Sequence, residues 1–257
     1  MPVKPNFINI LLYLARDMNT SIQPTISTIE IIYEDNLLVV VNKPNNFLIH
    51  QSHYARNITE ITLLETLQQQ LGFPLFPVHR LDRKTSGILL LLKDKSFVAQ
   101  FQALFTNNAI QKTYYAIVRG FSPATGKIDS PVKNDDTGVY KTALTCYKTI
   151  YSIDLDIPVH PYAKSRYSLM ELTPKTGRMH QLRKHLNKIN HPIVGDYKYG
   201  DRFHNRMYET EFNCHYLFLH AHSIEFIHPL SRQKMIFTAD FPEDWLKMFN
   251  EFNWQQP

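Results

Sequence analysis

The hydrophobic pattern of the chain predicts a β-sheet in its first half. Two short runs rich in β-branched residues, 29–33 and 37–41, are separated only by Glu34-Asp35-Asn36, which predicts a hairpin. Residues 88–92 are apolar without alternation and lie between a glycine and a lysine, so we predict a strand buried on both faces. Residues 112–120 alternate as in a half-buried strand.

Apolar spacing and helix-start signals together predict four helices. The leucines of 61–71 and the phenylalanines of 96–106 recur at intervals of three and four residues, which indicates helices with one face toward the core. A turn framed by proline and glycine precedes a third helix, which we expect from about His180. Residues 242–252 begin with proline, as first helical turns often do, and predict a closing helix.

Shorter runs predict the rest of the sheet. We expect strands at 143–147 and 166–172, with residues 151–164 forming a long excursion between them. Residues 217–227 are expected to hold a pair of strands.

Composition and charge favour an anionic partner and a reducing compartment. The chain has 257 residues, a net charge of +5 and a pI near 9.0, for which RNA is the obvious class of partner. Cys146 and Cys214 form neither a metal pattern nor a disulfide framework, so we expect a cytoplasmic protein. No apolar stretch approaches the ~18 residues of a membrane-spanning helix. Asp135 and Asp136 have no further ligands at suitable spacing, which favours a solvated loop over a metal site.

The N-terminal segment 1–28 is predicted to be an extension or linker. Residues 7–15 are apolar and weakly resemble a secretion signal, but charged residues follow them instead of a cleavage site. We therefore expect either a short docked helix or a true start at Met18, and no secretion. Residues 29–257 then form a single domain, which is long enough to bury a substantial core.

One carboxylate lies in the turn that precedes the apolar run 88–92. Asp82 is surrounded in sequence by Arg80, Arg83 and Lys84. Neighbouring cations favour the ionised form of a carboxylate, and such a group at the edge of a rigid strand can act as a nucleophile. A structural salt bridge at the strand entrance explains the same residues.

The motif around Asp82 resembles a known signature. The run His79-Arg80-Leu81-Asp82-Arg83-x-Thr85-Ser86-Gly87 is similar to that of the RluA-type pseudouridine synthases. The resemblance implies that Asp82 is the nucleophile that isomerises uridine in RNA, and that the flanking His79 and Arg80 contact the substrate. Residues 112–120 resemble the family's second block, Lys-x-Tyr-x-Ala-x-Val-x-Gly. By this resemblance Tyr114 lies against the target base, where an aromatic face can replace lost stacking.

A third block combines dense positive charge with a further motif. The charge is typical of a phosphate-binding surface, although a solvated basic face is equally compatible with it. Two anions, Asp196 and Asp201, accompany eight cations in this segment, namely Lys175, Arg178, Arg183, Lys184, Lys188, Lys198, Arg202 and Arg206.

Residues 174–183 resemble the family's Pro-x-Thr-Gly-Arg-x-His-Gln-Leu-Arg motif. The resemblance implies that Arg183 is the bidentate partner of Asp82 and that Leu182 lies beneath the uracil. We assign Lys175 and Arg178 to phosphates. His180 and His185 lack the glutamate of a zincin helix, so we expect them to bond to backbone or RNA rather than to zinc.

The resemblance covers nearly the whole chain, from about residue 29 to about residue 245, and implies an α+β fold. Its mixed, mostly antiparallel sheet is split by the catalytic cleft and flanked by helices. In the implied reaction the uridine is extruded, Asp82 attacks either C1′ or C6, and uracil rotates so that C5 bonds to C1′. Tyr114 or a water then removes the C5 proton. No cofactor or metal is implied, and we expect a monomer.

Residues 171–206, which end in Gly-Asp-x-x-x-Asn-Arg, are most similar to the branch of the family that modifies uridine 65 in the T stem of tRNA. A uridine of 23S ribosomal RNA is the alternative substrate within the family. A catalytically silent RNA-binding protein is the alternative from another class. A hydrolase that uses Asp82 would need a separate base to position water, and none stands near it in sequence.

Overall fold

A computed structural model describes residues 28–51 and 60–257. The predictions for residues 1–27, including the docked helix and the start at Met18, lie outside the described residues. No helix within the described ranges is long and apolar enough to cross a membrane.

The described residues form one ten-stranded sheet with the order β1-β2-β4-β11-β5-β10-β9-β6, in which β3 also pairs with β4 and β12 with β11. A separate hairpin consists of β7 and β8. The strands are β1 (Glu30–Glu34), β2 (Leu38–Lys43), β3 (Phe76–Pro77), β4 (Ser86–Leu92), β5 (Gln111–Arg119), β6 (Thr125–Asp129), β7 (Val132–Lys133), β8 (Tyr140–Lys141), β9 (Leu144–Leu155), β10 (Ser165–Pro174), β11 (Leu219–Ile227) and β12 (Lys234–Thr238).

Four helices lie close to the predicted positions, whereas a fifth, over Arg202–Phe212, was not predicted. A capping box at Thr62 and Glu65 starts the first helix, and the third begins directly after His180. The helices are α1 (Leu63–Leu71), α2 (Val98–Thr106), α3 (Gln181–Lys188), α4 (Arg202–Phe212) and α5 (Glu243–Glu251). The α+β class, with a mixed and mostly antiparallel sheet flanked by helices, is confirmed.

Strand β4 is buried on both faces, as predicted. Its leucines alternate between two hydrophobic clusters, one containing Phe101 of α2 and the other Leu63 and Leu67 of α1. Each buried leucine contributes roughly 1.5–3 kcal/mol, so β4 is held firmly in this half of the sheet. The turn that carries Asp82 therefore leads directly into a rigid element.

The two halves of the sheet meet at a short parallel contact between β4 and β11. Only two residue pairs form it, His220 with Ser86 and Ala221 with Gly87, whereas the other described strand pairs are antiparallel. The Ser86 hydroxyl also lies 2.9 Å from Nδ1 of the buried His220. Beyond this junction the second half packs on α3, α4 and α5 through the largest hydrophobic cluster.

Two predictions for the second half of the sheet were wrong. Strand β9 continues to Leu155, so the excursion does not begin at residue 151. It pairs with β10 from Thr145 to Leu155, and a bulge at Leu169/Met170 shifts the register where the polar pattern of β9 is irregular. Residues 217–227 contain one strand, β11, rather than a pair, because the buried His220 is bonded within the sheet and does not interrupt it.

The close approach of β4 and β11 predicts a large cost for Gly87→Ala. A Cβ at Gly87 would lie 2.2 Å from the Ala221 carbonyl oxygen, at a φ of +108°. We expect the free energy of unfolding to fall by about 3 kcal/mol or more, from overpacking together with left-handed backbone strain. Chemical denaturation measures this.

Gly72→Ala is the matched control, because Gly72 also has a positive φ, +82°, but a Cβ added there would meet no atom within 4 Å beyond its chain neighbours. We expect it to cost only about 1–2 kcal/mol. Equal losses in the two variants would contradict the importance of the β4–β11 contact.

Candidate active site

Asp82 lies in the turn between β3 and β4, and the side chain of Lys43 holds this turn in place. The Lys43 ammonium is fully buried and donates to the carbonyl oxygens of Pro44, Phe47 and Arg83 at 2.8, 3.1 and 2.9 Å. Burial lowers the pKa of Lys43 to about 7, and the charge of Asp82 opposes that change. The end of β2 is thereby tied to the residue that follows Asp82. The sequence analysis placed a lysine-proline turn here but assigned Lys43 no role.

The three cations next to Asp82 in sequence are directed elsewhere. Arg83 pairs with Glu60 at 2.6 Å, and the Lys84 ammonium lies 4.3 Å from the centre of the Tyr197 ring. Arg80 is exposed and lines the cavity. Because a turn points successive side chains in different directions, closeness in sequence did not identify the ionic partner of Asp82.

Arg183 is that partner, but the predicted bidentate pair with Asp82 is wrong. Arg183 Nη1 donates a single hydrogen bond of 3.1 Å to Asp82 Oδ2. Arg183 forms its bidentate contact with Asp196 instead, from Nε to Oδ2 at 2.7 Å and from Nη2 to Oδ1 at 2.9 Å. The guanidinium of α3 is thus fixed by one carboxylate and presents its remaining edge to the other.

Asp196 is buried and held by its own loop. Oδ1 also accepts the backbone N–H groups of Lys198 and Tyr199, at 2.9 and 3.0 Å. Burial alone would raise the pKa of Asp196, but the hydrogen bonds and charge of Arg183 hold it below its ordinary value. The amide of Asn205 bridges Gly195 N–H and the Asp196 carbonyl oxygen, at 2.8 and 3.0 Å. This gives Asn205 a structural role in orienting Asp196.

Asp201 has a similar supporting function. Its carboxylate accepts the N–H groups of Phe203 and His204 at the start of α4, and it pairs with Arg119 of β5 at 2.5 Å. Two side chains of the Gly-Asp-x-x-x-Asn-Arg tail, Asp201 and Asn205, therefore support the loop that contains Asp196.

Asp135 lies on an exposed loop, as predicted, but its carboxylate also has protein partners. Its carboxylate accepts hydrogen bonds from Lys184 Nζ, Lys198 Nζ and the Tyr199 hydroxyl at 2.6, 2.6 and 2.9 Å. Within the described ranges, no group of three or more His, Cys, Asp or Glu side chains could hold a metal ion. The loop between β7 and β8 is thus bound to α3 and to the loop after Asp196.

The two predicted histidines of the third block have different environments. His180 Nδ1 lies 3.0 Å from the Tyr199 hydroxyl, and its Nε2 lies 3.7 Å from Asp82 Oδ2. His185 is buried, with its ring nitrogens 2.9 Å from Thr145 Oγ1 and from the Ser130 carbonyl oxygen. Only His180 faces the cavity beside Asp82.

Asp82 opens onto a cavity of about 540 Å³, within the range of small-ligand sites. Of the predicted residues, Lys175 is exposed and lies outside this cavity lining. Lys112 lines it and was not singled out beforehand. The other predicted residues all line it, namely His79, Arg80, Tyr114, Arg178, His180, Leu182 and Arg183.

Two aromatic rings form part of the cavity wall. His79 Nε2 accepts the Leu90 N–H at 3.0 Å, and the His79 ring stacks on Phe105 with 4.6 Å between centroids. Burial lowers the pKa of His79 to about 3, so its ring stays neutral. Burial and the charge of Asp82 raise the pKa of the Tyr114 hydroxyl well above its ordinary value. Tyr114 therefore presents a protonated phenol to the cavity.

Comparisons with known proteins show the family of this chain. Residues 37–188 match the family model for RNA pseudouridylate synthase. The tRNA pseudouridine synthase C of Vibrio cholerae is 38% identical over 89% of this chain and 97% of its own length. The protein of that name from Haemophilus influenzae is 37% identical over 88% and 99%.

A solved structure shares the fold. Human RNA pseudouridylate synthase domain containing 4 superposes with a TM-score of 0.67 at 25% identity, covering 89% of this chain and 94% of the human chain. The family match spans more than half of the chain and includes the Asp82 turn, β5 and α3. This chain belongs to the RNA pseudouridylate synthase family and is an RNA pseudouridine synthase, an isomerase.

Proposed function

We propose that this enzyme converts uridine 65 in the T stem of tRNA to pseudouridine, with Asp82 as the nucleophile. The observation that carries the assignment of Asp82 is its position in the cavity, 3.1 Å from an arginine that Asp196 fixes in place. An oriented charged partner directs the carboxylate at a reacting carbon.

The target uridine must leave the RNA helix before Asp82 can reach it, because C1′ and C6 are shielded in the stack. Asp82 attacks either carbon, the N-glycosidic bond breaks, and the uracil turns so that C5 bonds to C1′. The bond between the substrate and Asp82 breaks, which frees the carboxylate. Loss of the C5 proton then restores the C5–C6 double bond. Arg183 stabilises the charge that moves on and off Asp82.

The cavity walls retain the free uracil while it turns. Leu182 is apolar, only 7% exposed, and faces the cavity from α3 as a floor for the base. The Tyr114 ring supplies an aromatic surface in place of lost stacking. His79 is neutral and fixed by the Leu90 N–H, so we assign it to the wall against the base rather than to proton transfer.

Cations at the mouth of the cavity are suited to the phosphates beside the extruded nucleotide. Arg80, Lys112 and Arg178 line the cavity, and Arg178 Nε is anchored on the Thr142 carbonyl oxygen at 3.1 Å. Lys175 is exposed outside the lining, and we assign it to a phosphate farther along the RNA. Such contacts position the RNA and carry little sequence information.

The names of the relatives favour tRNA over ribosomal RNA. The relatives from Vibrio cholerae and Haemophilus influenzae are called tRNA pseudouridine synthase C, and the alignments extend over nearly their full length. A uridine of 23S rRNA is the competing substrate, because the catalytic residues alone do not select the RNA. A silent RNA-binding protein would have no use for a carboxylate among its phosphate contacts.

We further propose that residues 29–257 act as one catalytic domain, as a monomer in the cytoplasm, without metal or cofactor. Cys146 and Cys214 are both free thiols, as expected in a reducing compartment. The reaction is an internal rearrangement, so it needs no redox or energy-supplying partner.

Pseudouridine mapping in a strain that lacks this gene tests the substrate. We expect tRNA from the deletion strain to lose one carbodiimide-dependent stop, at position 65, and the wild-type gene to restore it. A gene that encodes Asp82→Ala should not restore the stop. A site lost from 23S rRNA instead would contradict the tRNA assignment and leave the chemistry intact.

Asp82→Asn should abolish pseudouridine formation, because the amide cannot act as a nucleophile. The asparagine side chain has the same shape as that of aspartate, so the affinity for tRNA should change by less than about tenfold, or 1.4 kcal/mol. Nucleoside analysis and filter binding measure these two quantities. Glu60→Gln is the control, because it alters the exposed partner of Arg83 and should leave turnover near normal. Substantial turnover by Asp82→Asn would overturn the nucleophile assignment.

A further inference from the structure

A chain of contacts connects the β7–β8 loop to Asp82. The Tyr199 hydroxyl donates to Asp135 Oδ2 at 2.9 Å, and Tyr199 Oη lies 3.0 Å from His180 Nδ1. On the opposite side of the imidazole, Nε2 lies 3.7 Å from Asp82 Oδ2. The Tyr199 ring also lies beneath the Arg183 guanidinium, with 5.0 Å between Cζ and the ring centre.

These contacts, from Asp135 through Tyr199 to His180, determine the tautomer of His180. The carboxylate of Asp135 can only accept, so it takes the Tyr199 hydroxyl hydrogen. The Tyr199 oxygen then accepts the hydrogen on His180 Nδ1, and Nε2 of the neutral ring keeps its lone pair. The 3.7 Å gap to Asp82 fits this arrangement, because two acceptors do not form a hydrogen bond.

The backbone of His180 is itself unusual. With φ 56° and ψ 24° it lies in the left-handed region, just before α3, and its side chain makes no helix-capping hydrogen bond. That conformation costs a residue with a Cβ about 1–2 kcal/mol. Here it turns the imidazole toward the cavity, where strained residues often have a functional role.

Two other side chains of the cavity, Tyr114 and His79, are poorly suited to accept a proton. Tyr114 keeps its proton because burial and Asp82 raise its pKa, and the His79 Nε2 lone pair is occupied by the Leu90 N–H. We propose that His180 accepts the proton that leaves C5 of uracil, and that Tyr199 and Asp135 position its ring for this step. This inference rests on the proposed isomerisation.

The step balances within the site. After C5 has bonded to C1′, the C5–H bond breaks, its electron pair restores the C5–C6 double bond, and the proton moves to His180 Nε2. The imidazolium then lies between the freed carboxylate of Asp82 and the Tyr199–Asp135 pair, both of which stabilise it. It returns the proton to solvent after product release.

Charged groups on the Asp82 turn, on α3 and on the loop after Asp196 determine the pH at which His180 titrates. Burial lowers the pKa of His180, the charge of Asp82 opposes this, and the cations Arg183, Lys198 and Lys184 act in the same direction as burial. Asp135 partly offsets the two lysines by pairing with them. The neutral, proton-accepting ring therefore predominates above a pKa that is lower than that of free histidine, and activity should fall as the pH drops through it.

His180→Asn tests the proposal, because asparagine tolerates the left-handed backbone but cannot accept the proton. We expect kcat to fall about 100-fold or more and the acid limb of the pH–rate profile to move to lower pH. With tRNA that carries deuterium at uridine C5, the isotope effect in single turnover should exceed that of the wild type, because proton removal becomes rate-limiting. An isotope effect and acid limb equal to those of the wild type would overturn the proposal.

Asp135→Asn and Asp136→Asn form a matched pair for the positioning role. Asp135 contacts Tyr199, whereas the adjacent Asp136 is exposed and has none of these contacts. We expect about a tenfold lower kcat with a shifted acid limb for Asp135→Asn, and unchanged kinetics for Asp136→Asn. Turnover of the same tRNA by the wild-type enzyme separates the proposed substrate from the proposed role of His180. If the wild type did not modify this tRNA, the proposed substrate would be contradicted, and not the role of His180.

Discussion

The division of one buried guanidinium between two carboxylates organises the whole site. Arg183 gives two of its hydrogen bonds to Asp196 and one to Asp82. A buried arginine needs a paired anion, because removing either partner of such a pair leaves a charge that costs several kcal/mol. Asp196 meets that need permanently, so Asp82 is not required as a structural counter-ion. It can form and break a bond to the substrate while the fold stays intact.

Separate parts of the fold keep these two carboxylates in place. Lys43 and the β4–β11 contact hold the Asp82 turn, whereas Asn205 and the start of α4 hold the Asp196 loop. Lys43 and Asn205 are buried and hydrogen-bonded to backbone groups of these two loops, which limits movement of the carboxylates during the reaction. Preorganised charge of this kind lowers the barrier without a reorganisation cost at the moment of reaction.

Local patterns predicted the rigid parts of this arrangement, and long-range contacts decided the parts that were missed. Strand β4, four of the five helices and the Asp82 turn follow from short-range periodicity and punctuation. The bidentate contact of Arg183 depends on the conformation of a loop 13 residues later, and the contacts of Asp135 span 49 to 64 residues. Strand β9 extends past its predicted end because pairing with β10 overrides its own polar pattern.

A double-mutant cycle on kcat/KM with Arg183→Lys and Asp196→Asn tests this division most directly. Lysine keeps the charge but cannot serve two carboxylates with one planar fork, so each single variant should lose about 10²-fold. If Asp196 acts only by orienting Arg183, the double variant should lose no more than either single variant. Losses that multiply to about 10⁴-fold would show that the two residues act independently, and would contradict the account.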